Sequence, residues 1–72
     1  MYLVEKHTRK GNLSAFEFVA TQYAKFSRLL IEKAERIEWW GTSFSDPGAD
    51  FNEFKLFDGN DKLIATRIVE GY

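Results

Sequence analysis

The chain has 72 residues, 44% of them hydrophobic and 17% aromatic, with ten basic side chains against eleven acidic ones and no cysteine. This composition excludes disorder, and the length sets a single domain over residues 1–72 that buries only about 60% of its unfolded surface. Balanced charge demands neither a polyanionic partner nor a mimic of one. The missing cysteines exclude disulfides and thiolate metal sites, and no apolar run approaches the roughly 20 residues of a membrane span.

Met1 to Thr8 alternates loosely, with Tyr2 and Val4 on one side and Leu3 and Glu5 on the other, so a first strand is expected. Glu5, Lys6, His7 and Arg9 stand where a secretory leader would carry an apolar run, and the expected location is cytoplasmic. Arg9-Lys10-Gly11-Asn12 breaks the strand.

Leu13 to Ile37 is expected to form one long amphipathic helix. Ser14 and Glu17 have capping-box spacing, and Leu13 and Phe18 have that of a hydrophobic staple, so the helix should start at about Ala15. Phe16, Val19, Tyr23, Phe26, Leu30, Ala34 and Ile37 recur at i+3 and i+4 and fall in one stripe roughly 80° wide. Phe18 and Leu29 share the flank of that stripe. A rival arrangement pairs Tyr2–Lys10 with Leu13–Thr21 around Gly11-Asn12, but it wastes the cap and cuts the stripe in half.

Glu38 to Phe44 is rich in aromatic residues and reads as a strand, in which Trp39 and Trp40 point to opposite faces. One should plug the core beneath Phe26 and Leu30 while the other is half exposed. Ser45 to Asp50 carries Asp-Pro-Gly turn chemistry and reads as a loop. Phe51–Phe57 and Lys62–Val69 flank Asp58-Gly59-Asn60-Asp61 and read as a hairpin. Leu56 is expected opposite Leu63, Phe54 opposite Ala65 and Phe51 opposite Ile68. The fold expected is α+β, in the order β-α-β-β-β, with a single long helix on one face of a mainly antiparallel sheet of three or four strands and a C-terminal β-hairpin.

Chemistry-bearing clusters are sparse. His7 is the one histidine, and catalysis there needs a nucleophile and an orienting carboxylate. A solvated strand histidine is the simpler reading. Asp46, Asp50, Asn52 and Glu53 offer oxygen ligands, but their spacing is not that of a calcium loop and Pro47-Gly48 accounts for the turn. Gly48 and Gly59 lie outside any phosphate-cradling pattern. No catalytic residue, metal or cofactor is expected.

The strongest functional signal is surplus apolar surface. One helix covers one face of a sheet. The face left over is expected to carry Phe51, Phe57, Ile64 and Ile68, and Trp39 or Trp40 adds to it. The expected function is therefore a small, non-enzymatic protein-binding module. It would act as an inhibitor or modulator of a protein partner, or bind itself as a homodimer. In size, aromatic content and lack of cysteine the chain is similar in style to small bacteriophage proteins that disable host factors, an analogy without a shared motif. The alternative is single-stranded nucleic-acid binding through Lys6, Arg9 and Lys10 with tryptophan stacking. The balanced charge and Glu32, Glu35 and Glu38 weigh against it.

Overall fold

The computed structural model of the protein describes residues 1–42 and 51–70. The strands are β1 (Tyr2–Thr8), β2 (Arg36–Gly41), β3 (Phe51–Phe57) and β4 (Leu63–Glu70). They form one four-stranded sheet in the order β1-β2-β3-β4, every neighbouring pair antiparallel. A helical layer between β1 and β2 covers one face. The α+β class, the β-α-β-β-β order and the C-terminal hairpin are all present.

The single long helix is not. Helix α1 (Leu13–Phe18) runs into a π-helical turn at Val19–Tyr23, the chain breaks over residues 24–27, and α2 (Arg28–Lys33) follows. Two local events cause the break. Lys25 adopts a left-handed conformation, φ 55°, and Phe26 N–H donates to Ala20 O at 3.0 Å, which closes the first helix. Ser27 then takes extended geometry and its hydroxyl accepts from Leu30 N–H at 3.3 Å, capping a new helix. Ala34 is already extended, so Ile37 belongs to β2.

The start also differs. Asn12 is the N-cap, its Oδ1 accepting from Ala15 N–H at 3.1 Å, so the helix begins before the expected Ser14 cap. Leu13 and Phe18 are exposed, at 46% and 52%, and form no buried staple. The rival hairpin is also overturned, since β1 pairs with β2 and residues 13–23 are helical.

The apolar stripe is nevertheless buried or half-buried along its length. Phe16 and Val19 enter the core with Ala20 and Ala24. Ile31 and Ala34 follow from α2, while Tyr23, Phe26 and Leu30 pack at the margin. Beneath them lie Ile37 and Trp39 of β2 and Phe54 and Leu56 of β3. The central strands alternate strictly between buried and half-buried positions. Cross-strand partners Ile37 and Leu56, Trp39 and Phe54, and Gly41 and Asn52 share the covered face.

Asn52 is the buried polar side chain among the described residues, 0% exposed. Its Oδ1 accepts from Trp39 Nε1 at 2.8 Å and its Nδ2 donates to Val69 O at 3.4 Å, tying β2, β3 and β4 together. A buried amide left without partners would cost about 1–3 kcal/mol, so this bonding is what makes the position tenable.

The hairpin register departs from expectation. Asp58 N–H donates to Lys62 O at 2.9 Å and Asp61 is left-handed, φ 66°. Phe57 therefore faces Leu63, and a bulge moves the pairing one residue further, so that Leu56 faces Ala65 and Phe54 faces Arg67. The slip carries Ile64 to the core side and Leu63 to the open face. The expected Ser45–Asp50 loop, with Asp46 and Asp50 of the oxygen cluster, lies outside the described residues.

Lys25 supplies a test of the helix break. A residue with Cβ is strained in the left-handed region by roughly 1–2 kcal/mol. Lys25→Gly should raise the unfolding free energy by about 0.5–1 kcal/mol, after allowance for the freer unfolded chain, and Lys25→Val should lower it by about 1 kcal/mol. Urea titration of both variants reads this. A continuous helix would give the opposite order, because there glycine is the disruptive residue.

Candidate functional site

The face of the sheet away from the helices is built from the other set of alternating positions. β1 contributes Leu3, Lys6 and Thr8, because a bulge between Leu3 and Glu5 turns Glu5 and His7 to the helix side. β2 contributes Arg36, Glu38 and Trp40, β3 Phe51, Glu53, Lys55 and Phe57, and β4 Leu63, Thr66, Ile68 and Glu70.

Its aromatic rings are not bare. The Arg36 guanidinium lies 4.0 Å from the Phe57 ring centroid, and Lys55 Nζ lies 5.5 Å from that of Trp40. Glu38 joins the two groups. Its Oε2 accepts from Arg36 Nε at 3.1 Å and its Oε1 from Trp40 Nε1 at 2.9 Å. Arg36 also pairs with Asp61 of the β3–β4 turn. The hydrogen bond that Arg36 donates to the Asp61 carboxylate raises the Arg36 pKa; burial opposes the rise, and the charges of Asp61 and Glu38 reinforce it. A ladder Trp40–Glu38–Arg36–Asp61 runs along β2 to the β3–β4 turn, in contact with the rings of Trp40 and Phe57.

The expected contact residues divide. Trp40, Phe51, Phe57 and Ile68 lie on the open face. Trp39 does not: it is 7% exposed, with its ring 5.1 Å from Tyr23 and 5.5 Å from Phe54. Ile64 packs against the core by virtue of the bulge. Sequence reasoning overlooks Leu3 and Leu63, which are 42% and 46% exposed on this face. It also overlooks the Arg36–Glu38 pair, although strand alternation carried back from Trp40 reaches both.

Lys6, Arg9 and Lys10 do not converge. Lys6 is exposed on the open face opposite Glu38. Arg9 turns inward, donating from Nη2 to Ile31 O at 2.6 Å and from Nε to Ala34 O at 3.0 Å, with its guanidinium 5.0 Å from the Phe16 ring centroid. It closes the C-terminal end of α2 and roofs the core. Lys10 lines an open depression of about 420 Å³ at the end of the sheet, with Glu35, Arg36, Asp58 and Asp61.

His7 Nε2 lies 2.7 Å from Glu5 Oε1 at the edge of the helix-covered side. Among the described residues, no three His, Cys, Asp or Glu side chains are grouped to hold a metal ion, and no helix is long and apolar enough to cross a membrane. On the helical layer, Phe18 stacks edge-on against Tyr23, and Leu29 is 72% exposed. The chain matches no protein-family model, no curated protein and no solved structure.

The position of Arg9 predicts a structural penalty. Hydrogen bonds from a charged donor contribute about 1.5–3 kcal/mol. Arg9→Ala should lower the unfolding free energy by about that much, and Arg9→Lys should recover under half, because one ammonium lacks the fork and flat face of guanidinium. Denaturant titration followed by tryptophan fluorescence measures both. A loss below about 0.5 kcal/mol would return Arg9 to the class of solvated surface charges.

Proposed function

We propose that the chain is a non-enzymatic protein-binding module of the cytoplasm, which inhibits or modulates a protein partner by covering it with the open sheet face. The observation that carries this reading is the ladder on that face. Trp40 is held by Lys55 and by the Glu38 carboxylate, and Phe57 by Arg36, which Glu38 also binds, while Leu3, Leu63 and Ile68 stand exposed around them. Rings fixed before binding lose little conformational freedom on contact, and tryptophan and arginine are enriched among residues that dominate interface energies. Arg36 and Glu38 are already paired within the face, which suits a flat contact better than proton transfer. Nucleic-acid binding has less support, since Arg9 is committed to α2 and leaves Lys6 and Lys10 apart.

The test is capture on immobilised protein from a lysate of the native cells, with and without nuclease treatment. Wild type should retain one specific polypeptide. A Trp40→Ser, Phe51→Asp double variant should lose it, and Leu29→Asp on the helical layer should keep it, with all three giving the same far-ultraviolet circular dichroism. Equal capture by all three would reject the open face as the contact surface. Loss of capture on nuclease treatment would favour nucleic acid.

A further inference from the structure

The two edges of the sheet are unequal. β1 is irregular, its register slipping between Leu3 and Glu5, and a bulged edge discourages pairing with another chain. β4 has its irregularity at the turn end only, and from Ala65 to Glu70 it pairs one-to-one with β3. Five of its eight residues are exposed, and it contains neither proline nor glycine. Among the described residues it has a strand neighbour on one side only. The outer row of backbone N–H and C=O groups on such a strand is a template for another strand.

We propose that β4 pairs antiparallel with β4 of a second copy of this chain, about a two-fold axis that passes perpendicular to the sheet at Ile68. The two sheets then join edge to edge, with both helical layers on the same side. This inference concerns the strand edge and stands whether or not the open face binds another protein.

The register follows from geometry and charge. An axis perpendicular to the sheet keeps the faces aligned, so opposed residues must come from the same face and the axis must pass at a residue. An axis at Thr66 drives the bulge at Ile64 into the new ladder. An axis at Arg67 sets that guanidinium against its own copy, and like charges directly opposite are destabilising. An axis at Val69 sets the partner's Glu70 against Ile68 and so brings that carboxylate towards Glu53, a like charge beside Ile68 on β3. An axis at Ile68 avoids all three. It places Ile68, 55% exposed, against its symmetry mate, Arg67 against the partner's Val69, and Thr66 against the partner's Glu70. Lys55 lies beside Thr66 on β3. The partner's Glu70 then sits two strand spacings from Lys55, about 10 Å at the backbone, a span that lysine and glutamate close together over the short threonine when Lys55 exchanges the Trp40 ring for the carboxylate. Symmetry repeats the pair. Apolar contact at the axis and opposite charges on both sides of it make the second copy the fitting occupant.

The chain contains no cysteine, so single substitutions report the register directly. In Ile68→Cys the two Cβ atoms face each other at about 4.5–5.5 Å, close to disulfide reach. Under mild oxidation this variant should give a covalent dimer at least about ten-fold faster than Thr66→Cys or Lys10→Cys, since held thiols react at a high effective concentration. Wild type in sedimentation equilibrium should rise towards twice the chain mass as concentration increases. Ile68→Asp should remain a single chain with unchanged circular dichroism; should it fail to fold, the cysteine comparison decides alone. Three results would each overturn the proposal: wild type staying a single chain at its highest soluble concentration, equal cross-linking of the three cysteine variants, or a folded Ile68→Asp that associates like wild type.

Discussion

The architecture depends on the phase of β2. Side chains of a strand alternate between faces, so fixing one residue fixes all. The hydrogen bond from Trp39 Nε1 to the fully buried Asn52 Oδ1 fixes this one. With Trp39 turned down, Ile37 follows it into the core, and Arg36, Glu38 and Trp40 must face the other way. A slip of one residue would bury Glu38 and Arg36 among Phe54 and Leu56, and burying such charges without partners costs several kcal/mol. The same bond that closes the core therefore creates the open face.

The helical layer adapts to that sheet. A straight helix over 13–37 would be about 37 Å long at 1.5 Å per residue, longer than the principal extent of the described chain, 31 Å. Breaking it at Lys25 folds α2 back over the sheet, and Arg28 then reaches Glu17 in an ion pair at 3.0 Å. Arg9 secures the far end of α2 through the carbonyls of Ile31 and Ala34. The buried side chains of this layer are small or compact: Ala20, Ala24, Ile31 and Ala34 accompany Phe16 and Val19. The layer covers one face from β2 to the inner residues of β4, where Ile64, Ala65 and Val69 pack against the core, and leaves the opposite face open.

Much of this is legible in the sequence. The strand alternation, the Asp58–Asp61 turn and the apolar stripe are local signals, and they give the class, the element order and most of the core. The division of labour between Trp39 and Trp40 is legible as well, although which of them is buried is not. That choice turns on Asn52, a polar residue whose partner lies 13 positions away in the chain. The helix break is missed because the i+3, i+4 stripe runs on past Lys25, a residue with no preference for the left-handed region. Ile64 is misplaced because a bulge leaves no signature in a run of β-formers. Arg9 is read as a surface charge because its carbonyl partners, at Ile31 and Ala34, are non-local. In each case the sequence supplies the short-range preference, and packing between distant segments decides the outcome.

The buried–open division of the tryptophan pair is the claim on which core, face and edge all rest. Acrylamide quenching of two single-tryptophan variants tests it. Trp40→Phe, which retains Trp39, should emit at short wavelength and resist quenching. Trp39→Phe, which retains Trp40, should emit further to the red and be quenched readily, provided the variant remains folded by circular dichroism. Equal quenching of the two folded variants, or the reverse order, would contradict the assignment of faces.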